Sequence, residues 1–452
     1  MLIILGIILV IIFGFLLSLA LVENMRFIER VGISFLLGLG IFTFLMFCYS
    51  TLGIKITLTT TLTALIFFNL LAYLLTRILH RRIYLKIPIV ELFKSLSPLE
   101  KIFVAIVGVL GITSIIITTY YPVNAWDAFA LYDFRAKVIF ETGYFTQIAR
   151  NFSYFSSYPL FTSLSHTLVY IFGGKNPQFI YSLLYISFLF AFYGALRKFV
   201  TREISLIATA LLASTPVIFE HSTVAYTNLP YAIFISLGTI YLYIWMAKER
   251  KNGYLILAAL MTGLSTWSRS AEPFWAANLF MVISYSLYRY WKHRDSILSP
   301  IWYSIVFFPM KEVWNKINYE VQTGTVKTIS LIGSELGGYG VAFFGTRIDF
   351  VRMLEVIAYV YKNIVSTWYP VAILFLLCLV FGLKNLKKNN SIFLIFIFLH
   401  FGLLVYGTYL FSFSYPYWVS IPDSARRLAM FFLPLMIYYV GLSAGELTAK
   451  IR

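Results

Sequence analysis

The chain has 452 residues, of which 60% are hydrophobic and 12% charged, with a formal net charge of +17. Soluble domains carry about 25% charged residues, so this composition excludes an ordinary soluble enzyme. The basic excess falls in short stretches between apolar runs, the pattern of loops retained on the inner side of a membrane, and no nucleic-acid module accompanies it.

Apolar runs of about 20 residues recur along the chain, each long enough to cross a bilayer core. A transmembrane β-barrel would read instead as alternating segments of about ten residues. Hydropathy therefore predicts an all-α polytopic membrane protein with about thirteen transmembrane helices, near 1–22, 31–51, 57–76, 102–119, 178–196, 203–219, 229–247, 254–268, 273–290, 299–310, 364–383, 391–411 and 428–447. The first run, MLIILGIILVIIFGFLLSLALVENMRFIER, lacks a basic leader and a small-residue cleavage site, so it reads as a retained span. Arg26 and Arg30 follow it, which puts the N-terminus outside. The clusters Arg77–Arg81–Arg82, Arg197–Lys198–Arg202, Lys248–Arg250–Lys251, Arg289–Lys292–Arg294 and Lys384–Lys387–Lys388, with Lys450 and Arg452, then all fall inside, together with the C-terminus. Cys48 and Cys378 lie within apolar runs and read as reduced packing residues.

This topology requires YPLFTSLSHTLVYIFGG, 158–174, to lie at or dip into the outer face without crossing. Residues 120–177 become one large external loop. The expected organisation is an N-terminal three-span extension with a basic loop (1–100), a transmembrane core containing that loop (101–310), a second external loop (311–362) and C-terminal helices (363–452). The second loop contains SLIGSELGGYGVAFFGTR and is either a binding loop or a connection. No internal repeat is present, and paired broken helices, the mark of many secondary transporters, are missing.

Charge on the outer side opposes the insertion bias and marks candidate sites. It collects in YYPVNAWDAFALYDFRAKVIFETGYF (120–145), FEHSTVAYTNLP (219–230), WSRSAEP (267–273) and SYPYWVSIPDSARRLAMFFLP (414–434). Asp133, Lys137 and Glu141 are spaced by four, so an ion-pair ladder on one helix face accounts for them, with Asp133 as a second functional carboxylate the alternative. Arg269 and Glu272, three apart, either pair with each other or line a cavity. Arg426 and Arg427 read as phosphate ligands, since the guanidinium fork binds phosphate bidentately, or as anchors to lipid headgroups. Asp127 suits a base or a helix N-cap.

Four motifs occur in order: Trp126-Asp127-Ala128 followed by Ala136-Lys137, the proline-started segment at 158–174, the turn AYTNLPYAIF, and RRLAMFFLPL ahead of the last span. Together they resemble the GT-C superfamily of membrane glycosyltransferases, which use polyprenyl-phosphate-linked sugars and include protein O-mannosyltransferases and aminoarabinose transferases of lipid A. The resemblance implies a multi-pass plasma (inner) membrane enzyme with an extracytoplasmic active site, inverting, and a polyprenyl-phosphate sugar donor. Asp127 would be the catalytic general base, Arg426 and Arg427 the donor-phosphate ligands with Asp423 orienting them, and Trp126, Lys137, Asn228, Arg269 and Glu272 the cavity wall. The abundant tyrosines and phenylalanines read mostly as lipid-facing or interfacial belt residues, with a few between Tyr120 and Tyr132 as candidates to stack on sugar. Asn228 stands where the family often has aspartate; the missing carboxylate argues against a required metal or other cofactor, with Glu220 and His221 left as possible ligands. The acceptor and the transferred sugar are not readable. A transporter or flippase of lipid-linked saccharide, and a polysaccharide polymerase or ligase of another membrane fold, are the alternatives.

The orientation is testable by cysteine labelling. Cysteines at Arg82 and Lys387 are expected to be shielded from an impermeant thiol reagent applied outside the cell, and cysteines at Asn151 and Ser334 to react. Labelling of position 82 from outside overturns the topology.

Overall fold

The computed structural model describes residues 2–81, 95–145, 158–248, 251–270, 272–323, 349–383, 390–414, 418–420 and 422–451. The labelling positions Arg82, Asn151, Ser334 and Lys387, and the side chain of Asp423, lie outside what is described. Among the described residues all regular structure is helical. Eight helices are long and apolar enough to cross a membrane, or nine if one bent pair counts as a span. The protein is thus an all-α, membrane-embedded chain.

Helices α1 (Leu2–Leu21) and α2 (Phe27–Thr51) cross with their backbones in contact. A Cβ on Gly14 would fall 1.8 Å from the Ser34 carbonyl oxygen, and one on Gly38 2.0 Å from that of Val10. Lipid tails are as apolar as leucine, so close backbone approach at small residues replaces the hydrophobic effect as the driver of packing. Helix α3 (Leu58–Ile78) opens on a Thr57–Thr60 capping box. Helix α4 (Pro98–Tyr120) opens on a Ser97–Glu100 box with proline at its first position, so the sequence itself fixes where each begins. The buried stripe of α4 contains Gly111, Ser114 and Thr118, while Ile102, Ile106, Val109, Ile112 and Ile116 are exposed. That is the reverse of a soluble helix. Ser114, Thr118 and Ser182 share hydroxyl hydrogen bonds of 2.7–2.8 Å across two helices.

A π-helical turn (Ala128–Asp133) leads into α5 (Phe134–Thr142), followed by α6 (Phe161–Ile171) and α7 (Phe179–Leu196). Helix α6 has 11 residues, about 16 Å of rise, too short to span, as the topology requires. It does not lie on a lipid surface, however: ten of its residues are buried, and it packs on α5, α2 and the π-turn.

The expected span at 203–219 is two short helices, α8 (Arg202–Ala213) and α9 (Pro216–His221), because Pro216 cannot continue the first. Helix α10 (Asn228–Ala247) is buried through nearly its whole length and forms the axis of the bundle, flanked by α7 and α11 (Asn252–Ser268). Helix α11, the expected span at 254–268, is one turn shorter than most spans and buried over most of its length. Helix α12 (Trp275–His293) ends in Arg289, Lys292 and His293. The weak run at 299–310 belongs to a much longer helix, α13 (Ser299–Thr323), and α14 (Phe350–Thr367) occupies the other flank of the expected second loop. The expected loop at 311–362 is therefore helical at both ends. The expected span at 364–383 is bent: α14 and α15 (Tyr369–Leu383) meet at 114° across Trp368. Helices α16 (Asn390–Ser414), α17 (Pro422–Ala429) and α18 (Leu433–Ile451) complete the chain.

Inside the bundle, neutral polar groups satisfy one another. Tyr303 donates to Thr262 at 2.8 Å, Asn278 donates to Thr262 at 3.1 Å, and Thr239 donates to Asn278 at 3.0 Å. His400 Nε2 lies 3.4 Å from Thr239. At the end of α10 remote from Asn228, ion pairs tie the basic connections down: Glu23 to Arg81 (2.6 Å), Glu29 to Lys198 (3.3 Å) and Glu100 to Arg202 (2.6 Å).

The α1–α2 crossing gives a stability prediction. Gly38→Ala must push backbones apart and is expected to destabilise by roughly 1–3 kcal/mol, read as a lower midpoint in a thermal series monitored by size exclusion. Gly108→Ala, where an added Cβ meets nothing within 4 Å, is the matched control and is expected to melt like the parent.

Candidate functional site

The chain leaves α4 at Tyr121 and reaches Asp127, which immediately precedes the π-turn. The Asp127 side chain makes no capping hydrogen bond, so the N-cap reading does not account for it. Its carboxylate is 54% exposed and stands 4.0 Å from Arg427 Nη1, brought from the last turn of α17. The Arg427 guanidinium also lies over the ring of Tyr226, 5.7 Å from its centroid. Arg426 pairs with Glu220 of α9 at 3.4 Å. Trp126 is exposed beside Asp127.

Tyr226, Thr227 and Asn228 form the turn into α10, and each holds a different part of the site. Below the Tyr226–Arg427 contact, the Thr227 hydroxyl is 3.3 Å from the hydroxyl of Tyr132, a residue of the π-turn. Asn228 Oδ1 accepts from Arg269 Nη1, and Arg269 Nε donates to Glu272. Tyr158 covers the Arg269 guanidinium at 5.3 Å and meets the Tyr132 ring edge-on at 5.7 Å. The expected pairing of Arg269 with Glu272 is present, and the same guanidinium also bonds Asn228 and faces Tyr158. Burial acts to lower its pKa, but Glu272 and the adjacent tyrosines outweigh that and raise it, so the guanidinium stays charged. The second carboxylate oxygen of Glu272 is buried with no hydrogen-bond partner.

Asp133 points elsewhere. It is 2% exposed and receives Tyr170 Oη at 2.5 Å, His166 Nδ1 at 3.1 Å and Lys137 Nζ at 2.8 Å. The expected i,i+4 pair is present. Burial works to raise the Asp133 pKa, but His166, Lys137 and Tyr170 together outweigh it and hold the carboxyl at about 2. A group held this way is a poor acceptor for a substrate proton. Lys137 is half exposed and also faces the ring of Phe129. Arg135, wholly buried, donates to Ser163 Oγ at 3.1 Å and to the Tyr158 carbonyl at 2.9 Å.

The sequence reading missed Tyr226, His166, Tyr170 and Arg135. His166 did carry a signal, as the one basic or acidic side chain besides tyrosine in the apolar segment 158–174. Among the described residues no three His, Cys, Asp or Glu side chains converge as a metal-binding group; Glu220 and His221 are neighbours on α9.

A wholly apolar cavity of about 220 Å³ lies where α14, α15, α16 and α18 meet. Ile364, Phe375, Phe401 and Phe432 are among its walls, and Phe432 follows Arg427 by five residues. Helix α14, one of its walls, packs against α17, the carrier of both arginines.

No family model, curated protein or solved structure matches the chain.

The Asp133 knot predicts an acid limit to stability. Its pKa is lowered on folding from 3.8 to about 2, so the stabilisation is complete above about pH 4 and is lost as pH falls toward 2. The shift corresponds to about 2 kcal/mol. Asp133→Asn is expected to be less stable near neutral pH and to lose less between pH 5 and pH 3 than the parent, in thermal unfolding followed by tryptophan fluorescence.

Proposed function

We propose that the protein is a glycosyltransferase of the membrane, taking a sugar from a polyprenyl-phosphate donor and passing it to an acceptor hydroxyl or amine. The observation that carries this reading is the meeting of Asp127 and Arg427, 300 positions apart in sequence and 4.0 Å apart in space. A lipid-phosphate donor needs a cation at the leaving phosphate and a carboxylate for the acceptor's proton, and the two must lie within one sugar of each other. Arginine serves the first need because its planar fork stays charged and pairs bidentately with phosphate. Asp127, half exposed and not committed to a cap, serves the second.

The reaction follows as a single displacement. The acceptor oxygen or nitrogen attacks the anomeric carbon, Asp127 takes its proton, and the bond to the lipid phosphate breaks. Arg427, with Arg426 beside it, balances the charge left on the phosphate. Attack opposite the leaving group inverts the anomeric centre. The ion pair between Asp127 and Arg427 has to open as the donor enters, and the phosphate replaces the carboxylate as the partner of Arg427. Asn228, Arg269, Glu272 and Tyr132 continue the wall. The apolar cavity next to α17 offers room for the start of the isoprenoid chain. With the basic connections inside, this end of the bundle faces the extracytoplasmic side of the plasma membrane. No cofactor enters the scheme.

The transporter alternative would draw on the interior network of Thr239, Thr262, Asn278 and His400, but those groups already bind one another. A polymerase or ligase of another fold would share the arginines without needing Asp127.

Asp127→Asn keeps the size of the side chain but cannot take the proton. Turnover with a polyprenyl-phosphate sugar in nanodiscs is expected to drop by about 10²-fold or more, with donor affinity equal or tighter because Arg427 loses its competitor. The double variant Arg426→Ala, Arg427→Ala is expected to weaken donor use, and the lysine pair to lie between. Full turnover in Asp127→Asn removes the carboxylate from the chemistry; full donor use in the double alanine variant reduces the arginines to lipid anchors.

A further inference from the structure

The π-turn at Ala128–Asp133 is an unusual element with a visible cause. A π-turn holds one residue more than the α-helical turn it replaces, and such turns are rare and recur at functional sites. One extra residue rotates everything before it by about 100° around the helix axis, the angle of a single helical residue. Asp127 is the residue immediately before the turn. The face on which its carboxylate stands is therefore set by whether the turn is π or α.

The far end of the turn is held firmly. Asp133, its last residue, is bound by His166 and Tyr170 of α6 and by Lys137 of α5. His166 Nε2 lies 3.1 Å from Tyr181 Oη on α7, so the chain Asp133–His166–Tyr181 runs from the turn through two helices into the bundle. Asp133, His166 and Tyr181 are each at most 2% exposed. Two residues on, Arg135 is fixed to Ser163 and the Tyr158 carbonyl. By contrast, Asp127 at the near end is half exposed and touches Arg427 alone among the ion pairs of the described residues. The turn is anchored behind and free in front.

We infer that His166 is a positioning residue: through Asp133 it holds the π-turn, and the turn aims Asp127 at Arg427. The inference rests on the reading of Asp127 as the base for its catalytic consequence, but not for its geometry. When the link is cut, the turn relaxes toward α-helix and Asp127 swings away from Arg427.

The experiment separates geometry from chemistry. In a chain with Cys48→Ala and Cys378→Ala, cysteines replace Asp127 and Arg427, and the rate of bridging by a short bis-methanethiosulfonate, which forms a disulfide with each cysteine and releases methanesulfinate, is measured in detergent with and without His166→Ala. His166→Ala is expected to slow bridging at least threefold. His166→Asn, whose amide can reach Asp133 from the Nδ1 position, is expected to recover most of the rate. In the otherwise native chain His166→Ala is expected to lower kcat about tenfold or more, as a misplacement of about 1 Å would, with donor KM changed less than twofold, and His166→Asn to restore it. Parental bridging and kcat in a folded, monodisperse His166→Ala protein overturn the inference. If His166→Ala does not yield such protein, Tyr170→Phe, which deletes one hydroxyl from Asp133, takes its place with the same expectation at smaller amplitude and the same overturning result. Slowed bridging together with full activity of Asp127→Asn would sink the assignment of the base and leave the positioning role standing.

Discussion

Arg269 is a cation at the end of an apolar bundle, and a cation in that position has to be paired and hydrogen-bonded or it cannot be held. Its partners come from three directions: Glu272 along its own connection, Asn228 at the start of α10, and the ring of Tyr158 ahead of α6. These contacts fix the turn into α10. That turn in turn positions Tyr226 under Arg427 and Thr227 beside Tyr132. The pairing of one guanidinium thus links the π-turn, α10, α11 and, through Tyr226 and Arg427, α17. Removing Glu272 would leave a buried charge uncompensated, whereas the exposed pair of Arg426 with Glu220 has little energetic weight.

The rest of the molecule follows from having lipid as its solvent. Helices meet through glycine and small hydroxyl residues, as at Gly14, Gly38, Ser114 and Ser182, and α4 turns its isoleucines outward. Polar side chains in the interior, such as Thr239, Thr262, Asn278 and Tyr303, are joined into a network because an unpaired polar group there is costly. The site lies where this regime ends. There Asp127 stands half exposed, and one buried oxygen of Glu272 has no hydrogen-bond partner.

Much of this was legible in the sequence. Hydropathy located the eight long apolar helices because each is a continuous run with no competing signal. Elsewhere the helices depart from the apolar runs: Pro216 splits one run, another continues through charged residues in α13, and a third bends at Trp368. Asp127, Arg426, Arg427 and Arg269 stood out as charges out of place. The structure brings Asp127 to Arg427, and Arg269 to Asn228 and Glu272. Spacing also found the Asp133–Lys137 pair. It could not find His166 or Tyr181, since their contacts with Asp133 and with each other are tertiary, and a π-turn leaves no periodic mark over six residues.

The bend at Trp368 has a consequence for the apolar cavity. Helix α14 buries Val356, Val360 and Ile364 along one side and exposes Leu354 and Glu355 on others, and it is turned 114° from the helix that follows. If such an amphipathic helix rests along a bilayer surface, its height is set by the lipid, while the other walls of the cavity belong to helices packed in the bundle. A thinner or thicker bilayer would raise or lower α14 against α15 and α16 at modest energetic cost. The width of the cavity, and with it the seat of the arginine-bearing segment packed on α14, would become a property of the membrane as much as of the chain.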